Sequence, residues 1–299
     1  MHFKGTHTAL VMPFKNGKID YENLEKLIDF QHKNGVDGII LHGTTGEAPT
    51  VLDEEFVESS DFVLKNWANK MSITIGVSKI STAEVLKTID SIKTKPHAFL
   101  ITPPAYVKPT QDGIFYHFEA IANHTNTPII LYNVPGRTIS DILPKTMLKL
   151  VEKFEHIVGM KDATGSLSRM SEEQFALWNV KHGLKRNFAM LTGDDQTTPH
   201  FVLSGGDGVI SVVSNCLPGE TSQMVKLLRD GKRSEAFEIY FKMFNLIRLL
   251  FVEANPMPIK YVMHKMGFCN LEYRLPMCRP SEVLLKEIDD ELKILGLVQ

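Results

Sequence analysis

The chain has 299 residues, 43% of them hydrophobic and 23% charged, and its formal net charge is −2 at pH 7. This near-neutral balance makes neither nucleic acid nor an anionic membrane an expected partner, and the length suits one large α/β unit or two small domains. Residues 1–5 carry no apolar signal core, and the most apolar late stretch, 241–252, is broken by Lys242 and Arg248 and is too short to span a bilayer.

Strand-like runs are expected at 7–12, 38–42, 72–77, 98–101, 128–132, 157–160, 188–191 and 208–213. Each is almost continuously apolar rather than alternating, as in a parallel strand covered on both faces. Helical periodicity fills the gaps. Asp20 can cap a first helix in which Leu24, Leu27 and Ile28 share a face and which Gly35 ends. Segments 53–66, 82–94, 112–125, 143–154, 167–180, 196–204 and 219–230 continue the alternation. Eight strands alternating with eight helices predict an α/β fold, a (β/α)₈ TIM barrel, over 1–228. A doubly wound sheet, which more often uses five or six strands, is the second choice. Beyond 228 the strand signal stops, and 233–252, 259–266 and 281–295 read as amphipathic helices. Residues 229–299 are therefore expected to form a C-terminal helical extension packed on the barrel, with Met243, Met263 and Met266 as core filler. Cys216, Cys269 and Cys278 show no Cys-x-x-Cys spacing. Free thiols in a reducing cytoplasm are expected, each a small buried hydrophobe, with no disulfide framework and no zinc site.

Lys161 lies in Ile-Val-Gly-Met-Lys-Asp-Ala-Thr-Gly, 157–165, where a β-branched run meets a Gly/Thr loop. That places an amine at the carboxyl end of a strand, the end where α/β barrels put their chemistry. Burial disfavours a charged amine and favours the nucleophile that forms a Schiff base with a carbonyl. The plainer reading is a lysine that snorkels out of the core to pair with a carboxylate. Gly43-Thr44-Thr45-Gly46-Glu47 follows the second strand and can cradle a carboxylate with backbone N–H groups and hydroxyls; it also reads simply as a Thr-rich turn. Tyr132 ends the fifth strand and can relay protons, while Arg137 in the following loop offers a planar fork for a carboxylate. A capped core tyrosine and a solvated loop arginine are the alternatives. Three motifs at three strand ends share one rim, and that convergence carries more weight than any of them singly.

These segments resemble the class I pyruvate-dependent aldolase superfamily, typified by N-acetylneuraminate lyase and dihydrodipicolinate synthase. Thr102–Tyr106, Gly193-Asp194-Asp195, 205–211, 251–258 and 274–277 fit as well, so the resemblance spans nearly the whole chain. Arg137 and the Thr44-Thr45 pair make it most similar to the dihydrodipicolinate synthase branch. The resemblance implies a cytoplasmic enzyme of lysine (diaminopimelate) biosynthesis that condenses pyruvate with aspartate semialdehyde. It implies Lys161 as the Schiff-base residue, Tyr132 as its acid/base partner, and Thr44 and Tyr106 as the rest of a proton relay. Thr45 is expected to hold the pyruvate carboxylate, Arg137 to clamp the second substrate, and Gly193 and Ile210 to line the pocket. An unperturbed lysine amine, pKa about 10.4, is well under about 1% neutral at pH 7, so the pocket must favour the free base or supply a proton acceptor. The tyrosine matching Tyr106 reaches in from a neighbouring subunit in that family, which implies a homotetramer built as a dimer of dimers.

No cofactor is expected. Asp194-Asp195 could suggest a metal, but no histidine lies at ligand spacing and Schiff-base chemistry needs none. Gly205-Gly206-Asp207-Gly208 precedes the eighth strand, whereas barrel phosphate sites follow strands seven and eight. The chain departs from the family at positions matching its lysine-inhibition site, which read Ala48, Pro49, Asp53, Phe56, Ile80 and Glu84; weak or absent lysine inhibition is expected. Ala105 also stands where a second tyrosine often precedes Tyr106. Two other functions remain open: a lyase for a sialic acid or a 2-keto-3-deoxy sugar acid, against which Arg137 argues, and a non-catalytic ligand-binding homologue, against which the complete Lys161, Tyr132, Thr44, Tyr106 set argues.

Overall fold

The computed structural model describes residues 3–183 and 187–298, without the side chains of 179–183. Met1 and His2, part of the stretch read for a signal core, lie outside the described residues. Among these residues eight parallel strands close a barrel: β1 Gly5–Ala9, β2 Gly38–Leu41, β3 Ser72–Gly76, β4 Ala98–Ile101, β5 Ile129–Asn133, β6 Ile157–Asp162, β7 Ala189–Thr192 and β8 Gly208–Ser211. Each strand pairs with its neighbours in chain order, and β1 closes the ring against β8 and β2. The helices between them are α1 Tyr21–Lys33, α2 Asp53–Trp67, α3 Thr82–Ser91, α4 Gln111–His124, α5 Pro144–Lys153, α6 Leu167–Gly183, α7 Thr198–Leu203 and α8 Pro218–Arg229. The fold is the expected (β/α)₈ TIM barrel.

Strand alternation divides the buried residues into two cores. Ala9, Ile40, Leu100, Ile130, Leu191 and Ile210 point into the barrel, while Ile39, Ile73, Ile75, Phe99, Ile129 and Met160 meet the surrounding helices. Both faces are covered, which is why the strands read as unbroken apolar runs. Local signals start the helices where expected: Asp20 accepts from the Asn23 N–H at 3.2 Å, and Ser81 forms a capping box with Glu84.

After α8 come α9 Arg233–Leu249, α10 Met257–Lys265 and α11 Glu282–Ile294. α9 packs on α8 and α11, and α10 packs on α11 and on the turn Val213–Asn215 that follows β8. No described helix is long and apolar enough to cross a membrane.

Four differences from the sequence reading stand out. The first strand lies at 5–9 rather than 7–12, because the Thr6 N–H is taken by Asp37 and the Gly5 N–H by the Asp207 carbonyl, which pulls the register toward the N-terminus. Leu10–Met12 stay buried but leave the sheet, the Val11 N–H turning to Asn215 Oδ1. A small antiparallel hairpin, Phe14–Lys15 with Lys18–Ile19, was not foreseen, although Asn16-Gly17 at φ 54° and 76° is a strong two-residue turn signal. Cys278 is exposed, with its Sγ 4.0 Å from Met257 Sδ, because it sits in the loop before α11; Cys216 and Cys269 are buried as expected.

Candidate active site

Lys161 and Tyr132 are register partners on β6 and β5, side by side at the carboxyl end of the barrel. Their side chains point inward and are almost completely buried. Lys161 Nζ lies 4.2 Å from the centroid of the Tyr132 ring. Burial alone would push the Tyr132 phenol up. The Lys161 ammonium, the Thr44 hydroxyl and the Arg137 guanidinium together outweigh it and hold the phenol below its ordinary value of 10.0. The pocket thus offers an amine a proton acceptor within reach.

Close packing sets the lysine's path. A Cβ on Gly193 would fall 2.6 Å from Lys161 Cε and 2.8 Å from Ala163 Cβ, so glycine is the residue that admits the side chain. Below it the apolar interior, with Leu191 and Ile210, excludes water.

Thr44, Thr45 and Gly46 form one 3-10 turn after β2. It is flanked by His42 at φ 57° and Glu47 at φ 52°, two non-glycine residues in the left-handed region. Gly76 makes room for the first of these, since a Cβ there would lie 2.3 Å from the His42 carbonyl oxygen. The His42 ring packs on Phe56 at 4.4 Å, and burial pushes its pKa down to about 3, so it is neutral. After β5, Pro135–Thr138 makes a single helical turn that carries Arg137 to the cavity mouth.

The cavity has a volume of about 480 Å³. Thr44, Thr45, Tyr132, Arg137, Lys161 and Gly193 line it, so six of the eight expected site residues are brought together. Ile210 lies beneath, in the barrel interior, and Val212 takes the lining position on that strand's end. Tyr106 is not among the lining residues; it is 85% exposed, at φ 70°, with its N–H donated to the Thr138 carbonyl.

The two aspartates and the glycine turn hold structure together. Asp195 accepts from the Val212 and Val213 N–H groups at 2.8 and 3.0 Å, and Asp194 accepts from the Gln196 N–H and the Thr197 hydroxyl. Among the described residues no group of three or more His, Cys, Asp or Glu is placed to hold a metal ion. Asp207 Oδ2 accepts from the Met190 N–H at 2.9 Å, which ties the starts of β7 and β8 at the far end of the barrel.

Three further residues belong to the site: Glu47 and Asn255 lie in the 43–47 and 251–258 motifs but have no role assigned from the sequence, and Lys260 has no sequence signal. Asn255, in the extension, donates from Nδ2 to Thr45 Oγ1 at 3.0 Å, and its carbonyl accepts from Arg137 Nη2 at 2.9 Å. Lys260 on α10 forms a fully buried ion pair with Glu47, Nζ to Oε1 at 2.5 Å. These partners are 118 to 213 residues apart, beyond the reach of any periodicity or local spacing.

A parallel barrel whose strand ends set a buried lysine against a lowered phenol defines an enzyme of the Schiff-base class. The chain matches the Dihydrodipicolinate synthetase family over residues 2–295 and belongs to that family. It is 39% identical to the 4-hydroxy-tetrahydrodipicolinate synthase of Kosmotoga olearia, over 96% of this chain and 98% of that protein. The dihydrodipicolinate synthase structure from Thermotoga maritima superimposes with a TM-score of 0.95 at 35% identity, over 100% of both chains. The lysine-bound enzyme from Cyanidioschyzon merolae does so with a TM-score of 0.92 at 34% identity, again over 100% of both.

Proposed function

We propose that this chain is a Schiff-base lyase of lysine (diaminopimelate) biosynthesis, condensing pyruvate with L-aspartate 4-semialdehyde to 4-hydroxy-tetrahydrodipicolinate. The observation that carries the reading is the Lys161–Tyr132 pair on adjacent strand ends, with Arg137 at the mouth of the same cavity. Lys161 Nζ attacks C2 of pyruvate, and water leaves as the iminium forms. Tyr132, linked to Thr44, takes and returns the protons of that step and of enamine formation at C3. Thr45 holds the pyruvate carboxylate. Arg137 receives the carboxylate of the aldehyde substrate. The enamine carbon bonds to the aldehyde carbon, whose C=O π bond opens and whose oxygen takes a proton to become the 4-hydroxyl, while the iminium re-forms at C2. The substrate's own amine, having lost a proton, then attacks C2, closes the ring and releases Lys161. The iminium itself activates the carbonyl carbon, so the chemistry calls for no cofactor.

The exposed Tyr106, with Val107 and Ile139 at 56% and 59% exposure beside it, supports a relay completed by Tyr106 of the partner subunit. We infer a homotetramer, a dimer of dimers, located in the cytoplasm, where its free thiols stay reduced. We also infer that 229–299 is an extension of the 1–228 barrel rather than an independently moving domain, since it supplies Asn255 and Lys260 to the rim. Borohydride reduction in the presence of pyruvate, followed by mass mapping, tests the core of the reading. A pyruvate-derived adduct on Lys161, absent in Lys161→Ala, is expected. A folded wild-type protein that traps nothing refutes the mechanism.

A further inference from the structure

Glu47 stands at the left-handed end of the turn that carries Thr44 and Thr45. A residue with a Cβ adopts that conformation at an energetic cost, which support from surrounding contacts must offset. The support comes from the extension. Glu47 Oε1 takes Lys260 Nζ, and Glu47 Oε2 accepts the Arg274 N–H at 3.3 Å. Lys260 Nζ and the Arg274 guanidinium each lie 4.1 Å from the ring centroid of Phe14, in the hairpin after β1. Arg274 in turn grips Glu55 through two hydrogen bonds and the Thr50 carbonyl through a third. Two residues before Glu47, Asn255 donates to the Thr45 hydroxyl. That bond directs the hydroxyl's own proton away from Asn255 and into the cavity, where a carboxylate would receive it. The turn is therefore held at its middle, Thr45, and just past its end, Glu47, by residues from 255–274.

We propose that Glu47 and Lys260 are positioning residues for pyruvate: their buried ion pair fixes the Thr44–Gly46 turn so that Thr45 and its backbone meet the pyruvate carboxylate. The pair touches no substrate. The proposal rests on the reading of Thr45 given under the proposed function. Arg137 sits on a separate loop and meets the extension at the Asn255 carbonyl, not at Glu47 or Lys260, so the ion pair itself does not reach the aldehyde half of the site.

The test is steady-state kinetics of Lys260→Met and Glu47→Gln on full-length protein, with borohydride trapping to count pyruvate-competent sites. Pyruvate affinity should fall about tenfold or more in both variants, as expected when a binding group is misplaced by a fraction of an ångström. The KM for aspartate semialdehyde at saturating pyruvate should stay within about threefold of wild type, because Arg137 keeps its place. A purely structural role would lower the number of competent sites and leave pyruvate affinity alone. Folded variants with wild-type pyruvate affinity, or a loss shared equally by both substrates, overturn the proposal. Should Lys260→Met not fold, the isosteric Glu47→Gln carries the same readout. A wild-type enzyme that traps no pyruvate would instead refute the reading on which the proposal stands, and would do so before any variant is compared.

Discussion

Glu173 on α6 is fully buried, and among the described residues neither carboxylate oxygen has a hydrogen-bond partner. Burial, reinforced by Asp162 on β6 and by Asp141 and Glu172, pushes its pKa from 4.5 to about 9, against the opposing pull of Arg169. It is therefore a neutral acid at pH 7. The folded form holds the proton more tightly than the unfolded one, so its contribution is fully present below pH 4.5. It is lost as pH rises toward the folded value. Each pH unit in that window removes about 1.4 kcal/mol, which amounts to about 3 kcal/mol at pH 7 and about 6 kcal/mol above pH 9. Glu173→Gln keeps the shape, stays neutral and abolishes the loss. The variant should match wild type near pH 4.5 and exceed it by about 3 kcal/mol at pH 7, several degrees in Tm at roughly 2–4 °C per kcal/mol. Asp162 is also raised by burial, but it is present in both proteins and drops out of the difference. Thermal unfolding from pH 4.5 to 9 checks this. A gap between variant and wild type that does not widen with pH would refute the reasoning.

Three other outcomes follow from the site. Gly193→Ala places a methyl group 2.6 Å from Lys161 Cε and should slow adduct formation by about 10- to 100-fold while the fold survives, read by trapping rate and circular dichroism; an unchanged rate would show that the lysine has room to spare. Arg137→Ala should raise the KM for aspartate semialdehyde by about 10- to 100-fold and leave the final extent of pyruvate trapping intact, since Lys161 keeps its place, while the trapping rate falls as Tyr132 loses one of the groups that lower its pKa. Lysine should inhibit weakly or not at all. In the groove lined by Ala48, Phe56 and Ile80 the nearby Asp53 is paired with Lys79 at 3.2 Å, and Glu84 accepts from the Ser81 hydroxyl at 3.0 Å. A titration showing micromolar inhibition contradicts this.

Much of the architecture was legible because it is written locally. Ile39-Ile40-Leu41 or Ile129-Ile130-Leu131 can be read as buried strands without knowing what covers them, and Asp20 and Ser81 announce their helices through side chains that reach three residues ahead. Lys161, Tyr132, Thr44 and Arg137 were legible for a related reason: strand ends are recognisable, and chemistry-bearing residues there share a rim. The edges of β1 were not, because its register answers to Asp37 and Asp207. The roles of Asn255 and Glu47, which lie in recognisable motifs, and the whole of Lys260 were hidden for the same cause, as their partners are set by the closed barrel. Tyr106 is a different case, since its surroundings within one chain are largely solvent.

The grip of the extension on the turn after β2 also orders events during synthesis. Thr45 emerges from the ribosome 210 residues ahead of the asparagine that orients it, and Glu47 emerges 213 residues ahead of its lysine. Lys161 is made well before either partner. On the proposed mechanism, a nascent barrel would carry Lys161 before the side chains that hold the Thr45 turn are made, and competence would await the docking of 255–274. On that mechanism the final quarter of the chain would be the last part of the keto-acid seat to be made.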